Sequence, residues 1–255
     1  MKQRPTILIS NDDGIGADGI IALAEEIKKF ANIIVVAPHT QQSAVGHSIT
    51  MANPIRATKT YVNKKFFGYA VEGTPADSVK LAVHTLLKDK KIHLLISGIN
   101  QGANTAINTL YSGTVSAATE GRILGLPSFA ISLTSYVYKN FSPAAKFASH
   151  LAKMILKNGL PEGTLLNVNV PAVSASKIKG VKITRQGKSS WDDTYEKRLD
   201  PNNREYYWLT GRMVKEDDSK DYDVIAVENN YISVTPIHYD LTDYNTLEEM
   251  KKWKF

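Results

Sequence analysis

The first 170 residues alternate two kinds of segment. Short runs that are apolar almost throughout, TILIS (6–10), IIVVA (33–37), HLLIS (93–97), SFAISL (128–133) and LLNVNV (165–170), are separated by stretches with apolar residues at helical spacing. A strand with one wet face alternates apolar and polar side chains, so runs without that alternation must be covered on both faces. In residues 18–30, Ile20, Leu23, Ala24, Ile27 and Phe30 share one helical stripe. Residues 77–87, 112–124 and 143–157 read as further helices, and residues 55–61 and 66–71 as a hairpin turning near Asn63-Lys64. The right-handed crossover rule then winds helices onto both sides of a mostly parallel sheet. The expected fold is α/β, a Rossmann-like doubly wound sheet.

After Pro171 the pattern changes. Residues 180–187, 204–211 and 223–235 read as strands, with polar, loop-like WDDTYEKRLDPNNRE and KEDDSKDYD between them, and residues 245–255 as a short terminal helix. We therefore expect an α/β core over 1–171 and an extended hairpin-and-helix appendage over 172–255. The appendage has no evident core of its own and is of the kind that packs against another subunit, within a single functional domain.

With 255 residues and 43% hydrophobic side chains, material for a core is ample. The absence of cysteine excludes a disulfide framework, thiol catalysis and thiolate-bound zinc. The net charge of +6 comes from dispersed lysines, which favour anionic ligands weakly and form no basic-aromatic motif. No stable nucleic-acid partner is expected. The first apolar run is too short for a signal sequence and no segment is long enough to span a membrane, so the expected location is cytoplasmic.

Asn11-Asp12-Asp13-Gly14 follows the first strand, at the carboxyl edge where open α/β sheets bind ligands. Two carboxylates about 4 Å apart repel by about 4 kcal/mol at an effective dielectric near 20, and a hard divalent cation is the simplest offset. An ordinary polar turn would also use these residues. Gly14, Gly16 and Gly19 match G-x-G-x-x-G and keep an NAD-dependent oxidoreductase as the alternative reading. Against it, the second strand ends in Ala37-Pro38-His39, with no acidic residue for a ribose. The turn after the first strand lacks the Asp-x-Asp of haloacid-dehalogenase phosphatases, and HLLIS ends in Gly98-Ile99-Asn100 without the third-strand Asp of receiver domains.

Two more loops fall at the same edge. APHTQQSAVGHSIT (37–50) offers Ser43 as a neutral oxygen ligand; His39 and His47 have no role assigned. The loop after HLLIS contains Asn100 and Asn104 and leads to Ser112-Gly113-Thr114 opening a helix, a phosphate-binding arrangement of free N–H groups and positive dipole.

Together, ILISNDDGIGADGI, VVAPHTQQSAVGHSIT, VEGTPADSVKLAV, ISGINQGANTAINTLYSGTVSAATEGR and SVTPIHYDLT resemble the SurE family of survival proteins, metal-dependent 5′/3′-nucleotidases. The resemblance implies one divalent cation, Mg²⁺ or Mn²⁺, on Asp12, Asp13, Ser43 and Asn100. It also implies a nucleoside monophosphate substrate and homodimers or homotetramers with exchanged C-terminal segments, in which His238 and Asp240 lie near a neighbour's site. On that basis Asp12, Asp13 and Asn100 are expected to be catalytic, and Asn11, Asn104, Ser112, Gly113 and Thr114 to bind phosphate or substrate.

Overall fold

A computed structural model describes residues 4–215 and 218–254. Residues 216–217 of the expected KEDDSKDYD loop, and residue 255 of the expected terminal helix, lie outside the described residues.

In chain order the elements begin with β1 (Thr6–Ser10), α1 (Asp18–Ile27), β2 (Asn32–Pro38), β3 (Ala57–Val62) and β4 (Lys65–Val71). Next come α2 (Pro75–Leu81), running into a π turn over Ala82–Leu86, then β5 (Leu94–Gln101), α3 (Asn108–Tyr111) and α4 (Gly113–Ile123). They continue with β6 (Ser128–Leu133), α5 (Ser142–Asn158), β7 (Thr164–Val170) and β8 (Gly180–Ile183). The last are β9 (Ser189–Leu199), β10 (Glu205–Lys215), α6 (Asp223–Glu228), β11 (Tyr231–His238) and α7 (Tyr244–Met250).

Nine strands form one sheet in the order β3-β4-β2-β1-β5-β6-β7-β11-β8. Only the β3–β4 and β7–β11 pairs are antiparallel. Strand β1 sits between β2 on one side and β5 on the other, so the winding reverses at its carboxyl end and a crevice opens there.

Burial along β1 shows why its sequence does not alternate. Ile7 and Ile9 belong to a cluster with Leu23 and Ile27 of α1 and Ala148 of α5, whereas Leu8 packs on the opposite face with Val79 of α2 and Ala117 of α4. All three β1 residues are fully buried, and truncating any of them to Ala costs about 2–5 kcal/mol. Helix α2 starts two residues before its expected position because Thr74 caps it. The Thr74 side chain accepts from the Asp77 N–H while Asp77 accepts from the Thr74 N–H.

The C-terminal third departs from expectation in three places. WDDTYEKRLDPNNRE does not form a loop: most of it is β9, paired with β10 from Ser189↔Lys215 to Leu199↔Glu205. A two-stranded ribbon exposed on both faces has no burial pattern for a sequence to encode. Residues 223–235 are not one strand, because DVIAVE forms α6 before β11 begins. Asp223 there is fully buried and accepts from the N–H groups of Ala106, Gly187 and Val224 at 3.0, 2.9 and 2.7 Å. The strand expected over 180–187 ends at Ile183. Both β8 and β11 join the main sheet. Among the described residues no helix is long and apolar enough to cross a membrane.

Candidate active site

The turn after β1 is braced from within. Asn11 is fully buried and its Nδ2 donates to the Gly14 carbonyl at 2.8 Å. The N–H of Gln42 donates to the Asp12 carbonyl at 2.7 Å, tying the turn to the loop after β2. Asp12 is buried and Asp13 half-buried. The Thr114 hydroxyl donates to Asp12 Oδ1, and the Gln101 N–H donates to Asp13 Oδ2 at 3.0 Å.

Burial pushes the Asp12 carboxyl up to about 6; hydrogen bonds from Thr114 pull against that shift, and the neighbouring charge of Asp13 adds to it. Burial likewise raises Asp13, against the Gln101 N–H. Two carboxylates are thus withdrawn from water side by side, with no basic residue among the causes acting on either. That is the electrostatic setting a divalent cation fits. Among the described residues there is no group of three or more His, Cys, Asp and Glu that could hold a metal. A cation here would therefore complete its shell with neutral oxygens, which suits a hard ion.

Two such oxygens line the same cavity. Ser43 accepts from Gln41 Nε2 at 2.9 Å on a loop fastened at several points. The Gly46 N–H donates to the Tyr111 carbonyl at 3.0 Å, and Thr50 donates twice to Asp77, at 3.0 and 2.6 Å. His47, to which the sequence assigns no role, lies 2.8 Å from the buried Glu120 of α4, which also accepts from Lys80 at 2.7 Å. Burial works to raise the Glu120 carboxyl, but the bonds to His47 and Lys80 outweigh it and hold Glu120 below its usual range.

Asn100 comes from β5, which runs past Gly98 to Gln101 with a register shift against β6 between Gly98 and Asn100. Such a bulge re-aims the side chains that follow it. Asn100 Nδ2 donates to the Gly102 carbonyl at 2.9 Å, leaving Oδ1 as the atom suited to a cation. Asn104 is held by a buried amide cluster. Its N–H donates to Asn169 Oδ1 at 2.8 Å, its carbonyl accepts from Asn167 at 2.7 Å, and its Nδ2 donates to Ser132 at 2.9 Å.

Helix α4 brings its N-terminus up to Asp12. Ser112 caps it, accepting from the Val115 N–H at 3.1 Å. A Cβ on Gly113 would lie 2.8 Å from Asp12 Cβ, so only glycine permits this approach.

Asp12, Asp13, Ser43, Asn100, Asn104 and Ser112 all line one cavity of about 200 Å³. Asn11, Gly113 and Thr114 are not among its lining residues. In this chain Asn11 braces the turn, Gly113 makes room for Asp12, and the fully buried Thr114 donates its hydroxyl to the Asp12 carboxylate. Gln41, Gln101, Asn108, Tyr111, Tyr136 and Trp191 also line the cavity; the first four lie within the quoted motifs without a role assigned to them, and Tyr136 and Trp191 lie outside those motifs. His238 and Asp240 are not among its lining residues in this chain; at the end of β11 the Asp240 N–H donates to His238 Nδ1 at 2.9 Å.

The G-x-G-x-x-G spacing does not build a dinucleotide site here. A Cβ at Gly19 would meet the Ile99 carbonyl at 2.0 Å, so this residue lets α1 lie against β5, while a Cβ at Gly16 would meet nothing within 4 Å. The space beyond the turn is faced by Asp12 and Asp13, which repel a pyrophosphate.

Similarity to known proteins points the same way. Residues 7–193 match the family model described as Survival protein SurE. A protein of Syntrophobacter fumaroxidans named 5′-nucleotidase SurE is 46% identical over 247 residues, 97% of this chain and 98% of the relative. One of the same name from Chlorobium chlorochromatii is 49% identical over 250 residues, 98% of this chain and 92% of the relative. The crystal structure of the SurE protein from Aquifex aeolicus superposes with a TM-score of 0.84 at 42% identity, covering 97% of this chain and 98% of that one. None of these similarities supports an oxidoreductase. On sequence and fold alike, the chain belongs to the SurE family of survival proteins.

Proposed function

We propose that this chain is a 5′-nucleotidase, a phosphatase that hydrolyses nucleoside monophosphates to nucleoside and phosphate. It would use one divalent cation, Mg²⁺ or Mn²⁺, held by Asp12, Asp13, Ser43 and Asn100. The observation that carries this reading is the meeting of oxygens from the β1 turn, the β2 loop and the β5 end around one cavity beside the α4 N-terminus. The cation, when bound, supplies Lewis acidity toward the phosphoryl oxygens. Asp12 and Asp13 provide the charge that retains it, and Asn100 and Ser43 provide its neutral donors. Ser112 and the positive end of α4 hold phosphate oxygens, with Asn104 lining the same cavity. In the net reaction the water oxygen joins phosphorus, the P–O5′ bond breaks, and a proton ends on the ribose oxygen.

A phosphate-release screen tests this. AMP and GMP should be hydrolysed with Mg²⁺ or Mn²⁺ and left intact when EDTA is present, with activity restored by returning the metal. Turnover that survives EDTA rejects the reading. Extending the screen to 3′-monophosphates and short polyphosphates sets the range of substrates.

We further infer a cytoplasmic homodimer or homotetramer with exchanged C-terminal segments, drawn from the parts of residues 172–255 that lie outside the main sheet on the 1–171 core. Support comes from the ribbon, where Tyr195 and Trp208 are exposed, and from the segment after β11, where Leu241 and Tyr244 are. Light scattering on the full chain and on a chain ending at residue 243 tests it: the inference requires the truncation to lower the number of subunits in the assembly.

A further inference from the structure

The cavity that holds the two aspartates has an aromatic side. Trp191 of β9, Tyr111 at the end of α3 and Tyr136 after β6 line it together with Asp12 and Asp13. The three rings are 42%, 54% and 80% exposed, so each leaves apolar surface facing water. Trp191 is held in place, because its Nε1 donates to Asn108 Oδ1 at 2.8 Å. An indole N–H can only donate, so this bond fixes which way the Asn108 amide is turned and leaves Asn108 Nδ2 as a donor beside the ring. Trp191 stands at the foot of a largely exposed ribbon, two residues after the buried Ser189, and lines the cavity of the core. A flat aromatic face beside amide donors, over a cavity with a carboxylate pair, matches a flat heteroaromatic ring joined through a sugar to a phosphate.

We propose that Trp191, in a cavity wall shared with Tyr111 and Tyr136, is the stacking surface for the nucleobase, and that it sets the preference for nucleotides over other phosphate monoesters. The inference rests on the phosphatase reading above and adds its substrate-recognising residue. Purines, with the larger face, stack best, and Asn108 Nδ2 favours a base that presents acceptors, as guanine does with O6 and N7.

The test compares kcat/KM for GMP and for ribose 5-phosphate, which keeps the sugar and phosphate and lacks the base. Full-length wild type, Trp191→Ala and Trp191→Phe are measured. The wild type should favour GMP by about tenfold or more, the range expected for one stacked base. Trp191→Ala should lose most of that ratio through a raised KM for GMP. Trp191→Phe, which keeps a ring and gives up the bond to Asn108, should retain most of it. Indole fluorescence of the wild type should change with GMP and not with ribose 5-phosphate, and that change should vanish in Trp191→Phe. This readout decides the matter even where Trp191→Ala does not fold.

A GMP preference unmoved in Trp191→Ala overturns the proposal. So does an equal loss on both substrates in a folded variant, since Trp191 would then only prop the Asn108 loop. Equal rates on the two substrates in the wild type remove base recognition and leave the phosphatase intact. No phosphate release from either substrate removes the phosphatase reading itself.

Discussion

The N–H of Gln101 donates to the Asp13 carboxylate at 3.0 Å, so the last residue of β5 holds a side chain from the turn after β1. Residues 88 positions apart in sequence are joined at the point where the sheet reverses its winding. The same β5 end carries Asn100, so one stretch of backbone sets the spacing between a carboxylate and an amide oxygen. A cation site assembled in this way is a property of the sheet, and damage to the sheet edge should show in metal affinity before it shows in stability.

Gly113→Ala tests the approach of α4. The added Cβ would press on Asp12 Cβ and on the Pro75 ring, at 2.8 and 3.1 Å. We expect kcat/KM for AMP to fall about 100-fold through misplacement of Asp12. The fold should lose only about 1–3 kcal/mol, because alanine is the better helix residue. Activity within twofold of wild type would show that the fit around Asp12 is loose.

Asp12→Asn should stabilise the metal-free protein. The wild-type carboxyl moves from 3.8 unfolded to about 6 folded. Its contribution is therefore fully present below about 4 and lost as pH rises through about 6. At neutral pH the buried charge costs on the order of 3 kcal/mol, which asparagine avoids while still accepting from Thr114. Calorimetry without metal should show Tm higher by several degrees in the variant at pH 7.5, and little difference at pH 4. A lower Tm at pH 7.5 contradicts this.

The same shift governs metal binding in the wild type. A cation must displace the proton on Asp12, so apparent affinity should be level above about pH 6 and fall about tenfold per unit below it. Titration calorimetry with Mn²⁺ from pH 5 to 8 measures this. An affinity independent of pH across that range would remove Asp12 from the ligand set.

Glu120→Ala should free the loop that carries Ser43. It removes the acceptor for His47 and Lys80, with an expected loss of about 1–3 kcal/mol. The Glu120 carboxyl is held below its unfolded value of 4.5, so its contribution is present above that pH and is lost as pH falls through the folded value. Wild type and variant should therefore converge in stability on acidification, and the variant should need more metal for half-maximal activity at pH 7.5.

Most core strands are legible in the sequence because both faces are buried, which writes a largely apolar run into them, with buried Asn167 and Asn169 interrupting it in β7. The carboxylate pair is legible because adjacent aspartates at a strand end demand an electrostatic partner. Other features leave no such trace. β9 and β10 are wet on both faces, and DVIAVE carries β-branched residues although it forms a helical turn whose Asp223 bonds distant N–H groups. HLLIS looks finished at Gly98, yet β5 continues to Gln101 and places Asn100 on the strand. Trp191 is lost in a polar stretch because its role depends on a chain crossing that no local pattern reports. Thr114 reads from the sequence only as a residue at a helix start; that its hydroxyl donates to Asp12 is visible only in the packing.

The most direct measurement is phosphate release from AMP by Asp12→Asn and Asp13→Asn, beside wild type, at saturating Mn²⁺ and pH 7.5, each checked for folding by circular dichroism. With both carboxylates holding the cation, either folded variant should lose at least about 1,000-fold in kcat. A folded variant that keeps wild-type turnover would mean that the reaction does not depend on this pair.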